Sequence, residues 1–77
     1  MRERKSLFDR FDGNVVDAHF FLKEVYGEKT KNLAYGFKRY ARRYKTAAKR
    51  EKDVDKWRIL QRKAQFYGEL AKLYGGD

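Results

Sequence analysis

The chain has no cysteine and no proline. Without thiols, disulfides and thiolate-ligated metal sites are excluded, and the fold must rest on side-chain packing alone. Without proline, nothing locks φ or deletes a backbone donor, so helices meet no obligatory stop. Long apolar runs are missing as well. None approaches the ~18 residues of a membrane-spanning helix, so no membrane insertion is expected. The opening stretch MRERKSLFDRF is basic, but acids interrupt it and no apolar core or small-residue cleavage site follows. A signal peptide is therefore not expected, and the cytoplasm is the expected compartment. Serine and histidine occur once each, as Ser6 and His19. Asp53 and Asp55, two positions apart, diverge on a helix, and no acidic cluster has metal-site spacing. On these grounds an enzyme, a metal site and a cofactor are all unexpected.

One sign of charge is missing from one segment. Between Lys29 and Arg50 there is no acid. Residues 28–50 carry nine bases and one acid, which accounts for most of the chain's net charge of +9. The segments on either side are nearly balanced. A local positive field of this kind favours a polyanionic partner. Aromatics are plentiful, at 17% of the 77 residues. They give a small single domain the buried area per residue that it needs.

Apolar positions recur at spacings of three and four, and strand alternation is absent, so the expected class is all-α. The economical assembly is a small three-helix bundle with a short extra N-terminal helix, over about residues 3–11, 14–26, 29–50 and 53–74. Asn14 is the expected cap of the second helix, with Asp17 at N3, and Gly27 its stop. Asp53 and Asp55 suit the start of the last helix, by capping and by opposing the dipole. A break near 51–53 follows from phase. Leu33, Phe37, Tyr40, Tyr44 and Ala47 form one stripe; Trp57, Leu60, Ala64, Tyr67 and Ala71 form another. A continuous helix from 28 to 74 would rotate the two stripes apart by roughly a quarter turn, and neither would bury well. The last helix also carries Ile59, Phe66, Leu70 and Leu73, an arc wide enough to touch two neighbours. Trp57, Phe37, Tyr40 and Tyr44 are expected in the core.

The basic residues of the 29–50 helix fall away from its apolar stripe. Lys31, Lys38, Arg42, Lys45 and Lys49 share the opposite face, with Arg39, Arg43 and Arg50 along a flank. Tyr35 lies among these cations, within about 20° of Arg42 on the helical wheel. Like charges three and four apart weaken an isolated helix, so the unmixed sign suggests an external anion. The apolar stripe is required by the bundle, which argues against a helix lying on a membrane surface. A helix-turn-helix fits poorly, because Lys23 stands where a small residue is needed and the second helix is too long.

The expected function is therefore non-enzymatic nucleic-acid binding, DNA or RNA. Lys31, Lys38, Arg39, Arg42, Arg43, Lys45, Lys49 and Arg50 would contact phosphates, and Tyr35 would supply an accessory ring. The cations of the charge-balanced last helix, Lys72 among them, are expected to stand outside this surface. The alternative is a small protein-interaction module, a subunit, regulator or inhibitor docking on a larger complex, a nucleoprotein one included. Phe20 and Phe21 point to different sides of the 14–26 helix, and an unburied aromatic there would favour a protein partner or a homodimer.

Overall fold

A computed structural model of the chain describes residues 6–75. These residues form four α-helices and a 3₁₀ segment, with no strand among them. The domain is the small all-α bundle that the periodicity predicts.

Helix α1 covers Leu7–Phe11, and Ser6 caps it by accepting from the Asp9 N–H at 3.3 Å. Positions 3–5 of the helix expected over about 3–11 lie outside the described residues. Asp12 (φ 51°) and Gly13 (φ 78°) turn the chain through the left-handed region. Helix α2 follows as Val15–Tyr26, with the Asn14 carboxamide oxygen accepting from the Asp17 N–H at 3.1 Å. It stops at Gly27, whose φ of 57° and ψ of −124° cannot continue the α-helix. That conformation is cheap for glycine alone.

The expected helix over 29–50 is shorter than its stretch. Gly27–Leu33 winds as a 3₁₀ helix, and α3 begins only at Ala34 and ends at Arg50. Buried Thr30 donates its hydroxyl to the Gly27 carbonyl at 3.1 Å. That local bond spans three residues, the 3₁₀ repeat, and competes with α winding. The break expected near 51–53 is present. Glu51 is extended (φ −79°, ψ 128°), and α4 runs over Val54–Gly75. The Asp53 carboxylate accepts from the Asp55 N–H at 2.9 Å, so a side chain caps the start of α4 without glycine or proline.

Helices α3 and α4 make an antiparallel hairpin that carries most of the tertiary packing. Tyr67 is its hub. Its ring lies 5.8 Å from Phe37, 5.4 Å from Tyr40 and 5.7 Å from Tyr44. Its hydroxyl accepts from the Phe8 N–H at 3.4 Å. On the other side of α4, Phe66 meets Phe8 edge to face at 5.4 Å. Ala18, Leu22, Leu70 and Ala71 complete the core. The wide apolar arc of α4 thus serves two neighbours, α3 on one side and α1–α2 on the other.

Four residues expected inside are not. Trp57 is 41% exposed and Tyr40 48%, and Ile59 and Leu73 are exposed too. For Trp57 and Ile59 the reason is height along the hairpin. Helix α4 is about 33 Å long, at 1.5 Å per residue, and α2 only about 18 Å. Helices α1 and α2 reach Phe66 and Tyr74, and leave Val54, Trp57 and Ile59 at the loop end uncovered. A helical wheel gives the angle of a residue, not whether a neighbour is present at its level.

Candidate nucleic-acid interface

Because Phe37, Ala41, Tyr44 and Ala48 turn α3 toward α4, its cations are turned outward. Lys38, Arg39, Arg42, Arg43, Lys45, Lys49 and Arg50 are all exposed. Tyr35 is 71% exposed, and the Arg39 guanidinium lies 5.8 Å from its ring centroid. That distance is within cation–π range.

Two open depressions mark this surface. The first, about 710 Å³, is lined by Tyr35, Gly36, Lys38, Arg39, Tyr40, Arg42 and Arg43. The second, about 770 Å³, runs between the helices. Lys38, Arg42 and Lys45 line it from α3, and Arg62 and Lys72 from α4, with Glu69 the one acid among its lining residues. Lys38 and Arg42 border both, so the two form one cationic track.

The expected site residues divide accordingly. Tyr35, Lys38, Arg39, Arg42, Arg43 and Lys45 are brought together. Lys31 is exposed on the 3₁₀ segment, out of the α3 register, and borders neither depression. Lys49 and Arg50 occupy the last turn of α3, also outside both. There they oppose the negative end of the helix dipole, a local role that needs no ligand.

Arg62 and Lys72 come from the helix that the charge balance set aside. Their signal is a neutral stripe on α4, Gln61, Gln65 and Gly68, flanked by those two cations. Net charge per segment hides such a face. Gly36 and Tyr40 are the other additions. A glycine inside a helix costs about 1 kcal/mol relative to alanine. A Cβ on Gly68 would stand 3.9 Å from the Ala41 Cβ, an ordinary contact on the side that faces α3. A Cβ on Gly36 would meet nothing within 4 Å, and φ there is not positive, so neither packing nor backbone conformation calls for glycine.

The other singled-out residues, Phe20 excepted, make packing contacts. His19 Nδ1 and the Tyr74 hydroxyl are hydrogen-bonded at 3.0 Å with their rings stacked. Burial raises the Tyr74 hydroxyl above its ordinary range. Tyr44 is raised likewise, by burial first and by the neighbouring Tyr67 and Tyr40 next. The Lys63 ammonium lies over the Tyr44 ring at 5.5 Å and the Phe8 ring at 5.9 Å, which explains a lysine within the apolar arc. Phe21 packs on Phe11 at 5.4 Å with the Arg10 guanidinium over it at 4.8 Å, whereas Phe20 is 66% exposed. Among the described residues no group of three His, Asp or Glu side chains is placed to hold a metal ion. No helix among them is long and apolar enough to cross a membrane. No family model, curated protein or solved structure matches the chain.

Proposed function

We propose that this chain is a non-enzymatic nucleic-acid-binding protein that holds a phosphate backbone along the cationic track of α3 and α4. One observation carries the reading. Cations from two helices border a common track containing a single acid, and α3 itself has no acid with which to offset the repulsion among its bases. Phosphate contacts position a nucleic acid without reading its sequence, so affinity should exceed specificity. A cytoplasmic setting is part of the proposal, supported by the cysteine-free sequence. The test is a binding titration at several salt concentrations. Log K should fall linearly with log salt, and Arg42→Gln should flatten that line equally for unrelated sequences. A flat response in the wild type would refute the reading.

The alternative, a protein-interaction module, has its own support. Val16 and Phe20 lie exposed on α2, and Val54, Trp57 and Ile59 at the loop end of the hairpin. Sedimentation of the isolated protein checks the homodimer version. A monomer at micromolar concentration whose nucleic-acid binding is salt-dependent would set it aside.

A further inference from the structure

We infer that the depression over Gly36 is a receptor for one unpaired nucleobase, which makes single-stranded nucleic acid the preferred ligand of this protein. The inference rests on the phosphate-binding reading above and specifies it. Three observations meet at this point of α3. First, Gly36 has neither of the usual reasons for a glycine within a helix. It needs no positive φ, and no neighbour approaches where its Cβ would stand. What the missing side chain leaves is helix backbone partly open to solvent, with free space above it. Second, the rings on either side are uncovered. Tyr35 precedes the glycine, and Tyr40, one helical turn on, stays half exposed although it also packs on Tyr67. Third, Lys38, Arg39, Arg42 and Arg43 border the same depression.

Phosphate binding alone would need the cations and neither the rings nor the gap. A flat aromatic ligand bonded to an anion uses all three. The base would lie over Gly36 against Tyr35 or Tyr40, and its phosphates would meet the arginines. In a duplex the base faces are stacked on one another and cannot enter. An unpaired base has both faces free, and stacking is tolerant of base identity.

Gly36→Leu fills the depression, and the fold should hold because leucine is the better helix former and its Cβ meets open space. Gly36→Ala serves as the conservative control. Fluorescence anisotropy would follow labelled twelve-nucleotide single-stranded DNA, the same sequence as RNA, the DNA duplex, and polyglutamate, at two salt concentrations. The wild type should bind both single strands tighter than the duplex, by about fivefold to a hundredfold for one stacked base. Gly36→Leu should lower single-strand affinity more than duplex affinity, so that the margin shrinks toward one, and Gly36→Ala should lose less. If wild type and Gly36→Leu bind single strands alike, or if the duplex or polyglutamate binds as well as the single strands, the base receptor is overturned while phosphate binding stands. If no nucleic acid binds with salt dependence, both readings fall together.

Discussion

Replacing Lys72 with glutamine separates a structured cationic track from diffuse positive charge. Seven cations border the two depressions: Lys38, Arg39, Arg42, Arg43, Lys45, Arg62 and Lys72. If each meets one phosphate, and each contact on a single strand contributes about 0.7, log K falls against log salt with a slope of about −5. Over a fourfold rise in salt, affinity then drops roughly a thousandfold. Lys72→Gln removes one contact, so the slope should become about −4.2 and the drop roughly three-hundredfold. Lys56→Gln is the matched control. It removes the same charge from the same helix, but Lys56 is exposed near the loop and borders neither depression. Its slope should stay at the wild-type value. The assay is anisotropy of a labelled oligonucleotide at four or five salt concentrations, with circular dichroism to confirm that both variants remain helical. Equal slopes for the two variants would refute the reasoning, because the protein would then be acting through total charge.

Three further outcomes test the packing. Phe66→Ala should cost about 3–5 kcal/mol by leaving a cavity, against a total of about 4–12 kcal/mol for a chain this size, whereas half-exposed Trp57→Ala should cost only about 1–2 kcal/mol; urea denaturation of each, read by circular dichroism, measures the difference. Gly36→Ala should raise stability by about 0.5–1 kcal/mol, while Gly13→Ala should lower it by at least about 1 kcal/mol, since φ there is positive and a Cβ would lie 3.1 Å from the Phe8 ring; thermal melts of the pair decide. The raised hydroxyls of Tyr44 and Tyr74 mean that the unfolded chain loses those protons first, so their contribution is whole below about pH 10 and disappears as pH rises through the folded values. Tyr44→Phe should therefore lose less stability than the wild type between neutral and strongly alkaline pH.

What the sequence made legible was local. Asn14, Gly27 and Asp53 announce helix ends through chemistry that acts within three residues, and all three ends lie where those residues put them. The exposure of Tyr35 and the burial of Phe37 followed from angle alone. What stayed hidden depends on distance through space. Trp57 and Ile59 have the right angle for burial and no neighbour at their height. Arg62 and Lys72 join the site because α4 lies beside α3, a relation that no segment's charge balance contains. The 3₁₀ winding of 27–33 is accompanied by a side-chain bond, Thr30 to Gly27, and a propensity scale does not decide between it and α winding.

The three-residue connection between α3 and α4 also has a consequence for how the chain acquires its structure. The hairpin holds most of the tertiary packing, so the bulk of native contacts join residues from one continuous half of the molecule. Closing a short loop costs little chain entropy, and topologies built this way fold quickly. The N-terminal arm, α1 and α2, has only Phe8, Ala18, Leu22 and their neighbours with which to attach. It should therefore be the first part to detach and the last to form. Under native conditions, amides of α3 and α4 near Tyr67 and Leu70 should exchange with solvent deuterium only on global opening. Those of α1 should exchange through a smaller, more frequent event. The cationic track lies wholly on the hairpin, so a molecule whose arm has swung away still carries that track intact.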